Sequence, residues 1–238
     1  MTKKVVIIIT EGISDEYFLK SFLDSRYETK KIKFKVYDGD AFANREISEE
    51  PIRNIIGNFI LQIMNTEKFK PSDILAVLQL TDTDGCMIDN ANIIIKVKQV
   101  PKTFYSLDNI IVNSLHQKNN IISRNQIKKR KTEKMVKLKK VCRYSYFYQI
   151  YYFSRNIELV FLNDLNPIKE DKSKNALRFS KKNKEQYPEI IKDNTPPLVS
   201  KTYEERYSES WSFIKEGVNS LHQYSTFALL LEYLDSLI

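Results

Sequence analysis

The sequence has few residues of the kinds that build disulfide frameworks and zinc sites, with two cysteines and two histidines among 238 residues. Cys86 and Cys142 lie far apart in the chain, and neither belongs to a pattern of metal ligands. His116 and His222 likewise have no partner at the spacing of a metal site. These shortages exclude a disulfide scaffold and a zinc module, and they favour a reducing compartment.

Long hydrophobic runs are also missing. The apolar run at residues 5–9 is too short for the hydrophobic region of a signal peptide and far too short to cross a bilayer. The sequence contains no Gly-X-X-X-X-Gly-Lys-Ser/Thr motif, so an ATPase activity would have to come from a partner chain. We therefore expect a cytoplasmic protein that does not bind membranes.

Basic residues outnumber acidic ones, 38 to 30, which gives a formal net charge of +8 at pH 7. The excess is concentrated in residues 118–143, which contain eleven basic residues and a single acid, Glu133. Such a stretch raises the positive potential where a nucleic-acid backbone could lie, and a solvated basic loop is an equally supported alternative. The predicted nucleic-acid contacts are Lys128, Lys129, Arg130, Lys131, Lys134, Lys137, Lys139 and Lys140.

The first 80 residues alternate between strand-like and helix-like patterns. Unbroken apolar runs at residues 4–9 and 73–80 predict central strands of a parallel sheet, covered on both faces. In residues 31–37 apolar side chains alternate with lysines, which predicts a strand near an edge. Between these runs, helices are predicted to begin at Ser14 and Ser48. The order strand, helix, strand, helix, strand indicates an α/β fold with right-handed crossovers.

The remainder of the chain is predicted to extend the sheet and then to become helical. Residues 92–115 predict one or two strands, and the aromatic residues 144–153 predict another. We divide the chain into a domain of residues 1–165, which includes a basic insertion at about 118–143, and a mostly helical region of residues 166–238. The aromatic side chains within residues 144–153, and that of Trp211, are expected to lie in the core.

Acidic residues stand beside glycines just after the predicted strands. The sequences are Glu11-Gly12, Asp38-Gly39-Asp40 and Asp82-Thr83-Asp84-Gly85. Ligands of parallel α/β sheets bind at the carboxyl ends of the strands, and glycine lets the backbone turn sharply there. Carboxylates that converge at one edge repel one another unless a cation or protons intervene. Mg²⁺, or Mn²⁺ in its place, suits this role because it prefers hard oxygen ligands and phosphate oxygens.

The three acids with the strongest case for metal binding are Glu11, Asp82 and Asp84, because their strands are predicted to be central. Asp38 and Asp40 are more typical of a turn that leaves a strand, with a place at the rim of the site as the alternative. Asp15 is interpreted as a charge that stabilises the start of a helix.

Two of these segments resemble the motifs of a known family. Residues 6–15, followed by Phe18 and Leu19, resemble the first motif of the Toprim (topoisomerase–primase) domain: an apolar strand, Glu-Gly, then a Ser/Thr-Asp pair that opens a helix. Residues 80–85 resemble its second motif, the Asp-X-Asp at the end of the third strand. The resemblance covers roughly residues 4–90. It implies a Toprim-like (Rossmann-like), mostly parallel sheet flanked by helices, here with a helical C-terminal extension.

The resemblance also implies roles for individual residues. Glu11 would be a general acid/base or a metal ligand, and Asp82 and Asp84 would bind Mg²⁺, so that all three are catalytic. Residues 155–162 are similar to a later segment of some Toprim nucleases, which implies that Glu158 is a further metal ligand. Leu159 stands where that segment has asparagine, and a surface helix acid is the alternative interpretation of Glu158.

Within the Toprim family, the chain is most similar to the nuclease branch. A topoisomerase needs further domains with a tyrosine nucleophile, and the primases and recombination mediators of the family carry cysteine zinc sites. The resemblance to the OLD-type (overcoming-lysogenization-defect) and PARIS-type phage-defence effectors implies a Mg²⁺-dependent nuclease of abortive infection. RNA, including tRNA, is slightly favoured over DNA as the substrate. The partners considered are nucleic acid, a separate ATPase and a second copy of the chain. The competing hypothesis is a non-catalytic module that binds nucleic acid or docks a partner protein.

Overall fold

The structure, a computed structural model, describes residues 4–27, 32–38, 51–96 and 103–237, with the backbone alone along residues 32–38. The strands are β1 (Lys4–Thr10), β2 (Ile32–Asp38), β3 (Ile74–Asp82), β4 (Ile93–Ile95), β5 (Thr103–Tyr105), β6 (Ile110–Val112), β7 (Lys140–Val141) and β8 (Tyr146–Phe153). The helices are α1 (Ile13–Tyr27), α2 (Ile52–Glu67), α3 (Leu115–Lys137), α4 (Ile157–Leu162), α5 (Lys172–Lys182), α6 (Tyr187–Asp193), α7 (Tyr203–Phe213) and α8 (Phe227–Ser236).

The main sheet has five strands in the order β2-β1-β3-β8-β7. The first four strands are parallel, and β7 runs antiparallel to β8. β1 and β3 are central, as their apolar runs predict, because side chains on both of their faces are buried. β2 lies at the edge of this order, as predicted, and the aromatic run predicted as a strand forms β8. The expected α/β class is thus confirmed, with a mixed rather than wholly parallel sheet.

The crossovers place helices on both faces of the sheet. In the sheet, β2 lies on one side of β1 and β3 lies on the other. The connection from β1 to β2 therefore crosses the sheet in the opposite direction to the connection from β2 to β3. Right-handed connections then put α1 and α2 on opposite faces. α1 packs against α5, whereas α2 packs against α3 and β7. Each face of the central strands is thereby covered.

The helix starts differ from those predicted. α1 begins at Ile13, and the carbonyl of Gly12 accepts hydrogen bonds from the N–H groups of Asp15 and Glu16. Ser14 therefore lies inside the first turn instead of capping it, and the carboxylate of Asp15 accepts a hydrogen bond from the Gly12 N–H at 3.2 Å. The predicted start of the next helix at Ser48 lies outside the described residues, and α2 begins at Ile52.

The described parts of residues 92–115, namely 92–96 and 103–115, form three short strands in place of the one or two predicted. They build a separate sheet in the order β4-β6-β5. This sheet has a small core of its own, which Ile121 of α3 and Leu221 help to form. The basic stretch that follows is helical as far as Lys137, so the alternative of a basic loop is wrong for those residues. Its helix, α3, begins after Ser114, whose hydroxyl accepts a hydrogen bond from the Gln117 N–H at 3.2 Å.

The C-terminal helices share the hydrophobic core of the main sheet. Phe161 of α4 packs its ring against those of Phe18, Phe179 and Tyr187, with centroid distances of 5.5, 5.8 and 5.0 Å. Trp211 is 3% exposed and meets the ring of Tyr152 edge-on, which confirms its predicted place in the core. The predicted division of the chain near residue 165 stays a prediction.

Both cysteines are free and buried, in agreement with the exclusion of a disulfide scaffold. Across the ranges that the structure describes, none of the helices combines the length and the apolar character needed to cross a bilayer.

Replacing Phe161 with alanine is expected to lower the free energy of unfolding by about 3–5 kcal/mol, because a buried ring is lost from the aromatic cluster. Leu177→Ala on α5 is the control: Leu177 is 39% exposed, and a change below about 1 kcal/mol is expected there. Urea denaturation followed by circular dichroism measures both. Equal losses in the two variants would contradict this account of the core.

Candidate active site

The predicted site residues come together at the carboxyl edge of the main sheet. Glu11 directly follows β1, Asp82 is the last residue of β3, and Asp84 lies two residues further on. Because β1 and β3 are parallel neighbours, their carboxyl ends open onto the same edge. The convergence that the sequence predicts for these three residues is therefore present.

The turn after β3 is held in place by residues that follow β8. The Thr83 N–H donates to the carbonyl of Phe153 at 2.9 Å, and the Asp84 N–H donates to the carbonyl of Arg155 at 2.8 Å. Asp84 and Gly85 both have left-handed backbone conformations, with φ of 50° and 66°. A side chain at Gly85 would also meet Leu221 at 2.5 Å, so this turn requires glycine.

Glu11 is hydrogen-bonded through both of its carboxylate oxygens. Its Oε1 accepts from the backbone N–H of Asp82 at 3.2 Å and from the hydroxyl of Thr81. Its Oε2 accepts from Nζ of Lys128 at 3.0 Å. Burial raises the pKa of Glu11 above its ordinary value, with a further rise from the charge of Asp84 and opposition from Lys128.

Asp84 lies among three cationic side chains. Its Oδ2 accepts from Nζ of Lys128 at 2.6 Å, and its Oδ1 forms an ion pair with Arg155 at 3.3 Å. Its carbonyl accepts from the guanidinium of Arg124 at 2.9 Å. Burial by itself would raise the pKa of Asp84, but Lys128, Arg124 and Arg155 outweigh it and lower that pKa well below its usual range. Asp84 is therefore held as a carboxylate.

A single ammonium group bridges two of the predicted ligands. Nζ of Lys128 lies 3.0 Å from Oε2 of Glu11 and 2.6 Å from Oδ2 of Asp84, so these two carboxylate oxygens are held close together. Burial opposes the charge on Lys128, but Asp84 and Glu11 raise its pKa above the ordinary value. Lys128 thus supplies the positive charge that converging carboxylates require.

Two further carboxylates extend the site. Asp15 is 6% exposed and Glu158 is 1% exposed, so the alternative interpretation of Glu158 as a surface acid is wrong. Burial, with the charges of Glu158 and Glu11, raises the pKa of Asp15 to about 7. Oε2 of Glu158 is paired with Nζ of Lys172 at 3.0 Å. We refer to Glu11, Asp15, Asp82, Asp84 and Glu158 as the acid cluster.

Two oxygens of the acid cluster are buried without a hydrogen-bond partner among the described residues, namely Oδ1 of Asp82 and Oε1 of Glu158. Burial raises the pKa of Asp82 well above its ordinary value, and the charges of Asp15, Glu11 and Asp84 raise it further. An unpartnered buried carboxylate oxygen is costly unless a proton or a cation satisfies it. The donor chemistry of the cluster, hard oxygens with unsatisfied lone pairs, fits Mg²⁺.

Tyr105, at the end of β5, orients the two arginines of the site. Its hydroxyl accepts from Arg124 at 2.9 Å, and the guanidinium carbon of Arg155 lies 3.6 Å from the centre of its ring. The small second sheet therefore supports the arginines that contact Asp84.

The other predicted residues are distributed as follows. Asp38 is the last residue of β2 and pairs in register with Thr10, and Asp40 lies outside the described residues. Arg130, Lys134, Lys137, Lys139 and Lys140 are exposed, and we call these five the basic ridge. Lys129 and Lys131 are half-buried. Lys128, predicted as a nucleic-acid contact, instead faces the acid cluster, and a role in binding nucleic acid stays a prediction for it.

The inward direction of Lys128 has a signal in the sequence beyond the charge of the basic stretch. Ile121 and Met135, both buried, lie seven residues before and seven residues after Lys128. Seven residues are nearly two helical turns, so the three side chains share one face of α3. Arg124 lies one turn before Lys128 and therefore shares this face of α3. No comparable periodicity in the sequence predicts that Arg155 and Lys172 form ion pairs with the acid cluster.

The carboxylates of the acid cluster have the donor type of a Mg²⁺ site, and Nζ of Lys128 contacts both Glu11 and Asp84. In this arrangement, no group of three or more histidine, cysteine, aspartate or glutamate side chains within the described ranges is placed to hold a metal ion. Comparisons with protein-family models, curated proteins and solved structures gave no match. The interpretation of this site therefore depends on its own geometry.

Lys128→Met is expected to lower the free energy of unfolding at pH 7 by about 3 kcal/mol, because it leaves Glu11 and Asp84 without their shared cation. Lys129→Met is the matched control, since its side chain is half-buried but has no place in the acid cluster. Chemical denaturation in EDTA measures both variants. If Lys128→Met were no less stable than Lys129→Met, the ion pair would not be a structural element of the site.

Proposed function

We propose that this protein is a metal-dependent nuclease, a Toprim-type hydrolase that cleaves phosphodiester bonds with Mg²⁺ or Mn²⁺. The observation that carries the proposal is the convergence of Glu11, Asp82 and Asp84 at the carboxyl edge of two parallel central strands. The unpartnered oxygens of Asp82 and Glu158 support it, because they are the kind of ligand that a hard cation requires.

The Toprim type is proposed from the order of the elements and the positions of the acids. The first strand ends before Glu-Gly, a helix opens with Ser14-Asp15, and the third strand ends in Asp82 and Asp84, while the strand order places β1 between β2 and β3. This arrangement agrees with what the sequence motifs imply for residues 4–90.

Glu11, Asp82 and Asp84 would hold the metal, with Glu158 as a further ligand. A bound Mg²⁺ ion would supply positive charge to the phosphate oxygens of the substrate. Arg155 and Arg124 keep Asp84 ionised, and Glu11, whose pKa burial raises, is suited to hold or release a proton as a general acid/base. Lys128 would exchange at least one of its two carboxylate contacts for a metal bound by Glu11 and Asp84.

The basic ridge supports nucleic acid as the substrate. Arg130, Lys134 and Lys137 recur at intervals of four and three residues on the exposed face of α3, and Lys139 and Lys140 follow it. Phosphate contacts of this kind do not depend on base sequence. The preference for RNA or tRNA over DNA, the role in phage defence, and the partner ATPase rest on the family resemblance alone.

A specific observation favours a second candidate, a non-catalytic module that binds nucleic acid or a partner protein. Lys128, Arg155 and Lys172 already neutralise much of the charge of the acid cluster, so the carboxylates can be explained as a network of ion pairs. The aromatic side chains Tyr207 and Trp211 are buried, which removes them as a docking surface.

Cleavage of RNA or DNA in the presence of Mg²⁺ or Mn²⁺ tests the proposal. Glu11→Ala and the double variant Asp82→Asn/Asp84→Asn are each expected to lower the cleavage rate at least about 100-fold, because metal ligands or a proton-transfer group are lost. Asp24→Asn, an exposed acid on α1, is the control and should cleave like the wild type.

EDTA should abolish cleavage by the wild type. The nuclease proposal fails if the wild type binds nucleic acid but cleaves none of the RNA and DNA substrates with either metal. Binding that survives in both site variants would then favour the non-catalytic module.

Lys134→Ala/Lys137→Ala is expected to weaken nucleic-acid binding and to reduce the slope of log affinity against log salt by about 2, one for each lost phosphate contact. Lys174→Ala/Lys192→Ala, which removes two exposed lysines from α5 and α6, is the charge-matched control. Fluorescence anisotropy at several salt concentrations measures the slope. A slope that is the same in both double variants would show that the ridge does not contact phosphates.

A further inference from the structure

A cleft between α2 and the turn from β7 to β8 is separate from the acid cluster. Its volume is about 320 Å³, close to the lower limit of small-molecule sites in proteins. The described residues of its lining include two arginines and two asparagines, Arg53, Asn54, Asn58 and Arg143, and no carboxylate is among these described residues. A concave surface with this composition is suited to an anionic ligand that also forms hydrogen bonds.

Close packing of the backbone brings the two arginines together. Gly57 has no side chain, and a Cβ added there would lie 3.4 Å from Cα of Cys142. Arg53 lies one helical turn before Gly57, and Arg143 directly follows Cys142. The turn is closed by a hydrogen bond from the Ser145 N–H to the carbonyl of Cys142 at 3.1 Å. The packing of α2 against this turn therefore sets the backbone positions of both arginines.

The guanidinium groups of Arg53 and Arg143 bring positive charge to the cleft. Arg53 and Arg143 are exposed, and no carboxylate of the described ranges forms an ion pair with either. Arg143 donates to the hydroxyl of Tyr144 at 2.8 Å, and its guanidinium lies 4.9 Å from the centre of that ring. Among the described residues, these two positive charges therefore have no carboxylate partner at the cleft.

We propose that this cleft binds a nucleotide through a terminal phosphate group. A phosphate monoester carries a charge of about −1.5 to −2 at pH 7, which matches two guanidinium groups better than the single charge of a diester does. Each guanidinium can donate two parallel hydrogen bonds to phosphate oxygens. The amide of Asn54 provides donors and an acceptor for the attached ribose or base.

A free mononucleotide and the phosphorylated end of a nucleic-acid strand share this chemistry. The inference rests on the proposed function for its choice of a nucleotide as the ligand, because a nuclease handles strand ends and releases phosphorylated products. Lys139 and Lys140 of the basic ridge precede Arg143 by four and three residues, so cationic side chains continue along the chain toward the cleft.

Binding in EDTA, where metal-dependent cleavage cannot occur, tests the inference. The probes are AMP, a short single-stranded RNA with a phosphate at its 5′ or 3′ end, and the same RNA with hydroxyl ends. The wild type is expected to bind either the 5′-phosphorylated or the 3′-phosphorylated RNA roughly tenfold or more tightly than the RNA with hydroxyl ends. A difference of this size is typical of a hydrogen bond to a charged group. Arg53→Ala/Arg143→Ala should lose this preference, and Arg53→Lys/Arg143→Lys should keep part of it.

Arg178→Ala is the control for loss of an exposed arginine, because Arg178 lies on α5, which packs against α1 and not against α2. It should keep the full preference for the phosphorylated RNA. The substituted arginines are exposed, so each variant should keep the thermal melting curve of the wild type, which circular dichroism checks.

The remaining outcomes decide the source of the ligand. Competition by AMP at the same concentration as the phosphorylated RNA identifies a free nucleotide, and its failure identifies a strand end; either result supports the cleft. The inference is overturned if the wild type has no preference for the phosphorylated probes, or if the preference survives in Arg53→Ala/Arg143→Ala. Glu11→Ala should keep the preference for phosphorylated RNA, because Glu11 does not line the cleft. If the wild type shows this preference but cleaves no substrate, the nuclease proposal fails and the inference about the cleft stands.

Discussion

The contact of Lys128 with both Glu11 and Asp84 connects three parts of the chain that are far apart in sequence. Glu11 follows the first strand, Asp84 follows the third strand, and Lys128 comes from the long helix of the basic stretch. Carboxylates gathered at one edge of a sheet repel one another when they are removed from water. Either protons or a cation must offset this repulsion, and in this structure the ammonium group of Lys128 offsets it for Glu11 and Asp84.

The demand for positive charge explains much of what surrounds the acid cluster. Arg124 and Arg155 approach Asp84 from two sides, and both contact Tyr105 of the small second sheet. Lys172 pairs with Glu158, the most deeply buried member of the cluster. The second sheet and the C-terminal helices thus contribute to the charge balance of the site as well as to the core. A hydrolase and a network of ion pairs would use the same side chains, and they differ in whether a metal can replace part of this charge.

Much of the architecture near the site could be predicted from local patterns. Apolar runs identified β1 and β3 as central strands, because strands covered on both faces need no polar alternation. Acid–glycine pairs at their ends identified Glu11, Asp82 and Asp84, because parallel strands open onto one edge. The position of a helix start was less accessible. Ser14 is a good capping residue, yet the carboxylate of Asp15 bonds to the Gly12 N–H, and the helix begins one residue earlier than Ser14.

The sequence by itself determined which strands are central and which carboxylates stand at their ends, since both depend on residues close together in the chain. The tertiary structure alone decided that Glu158 is buried and that Lys128, among many basic neighbours, faces inward. It also decided that Arg53 and Arg143 border one cleft. These outcomes depend on how helices from distant segments pack against the sheet, and local charge or periodicity does not specify that packing.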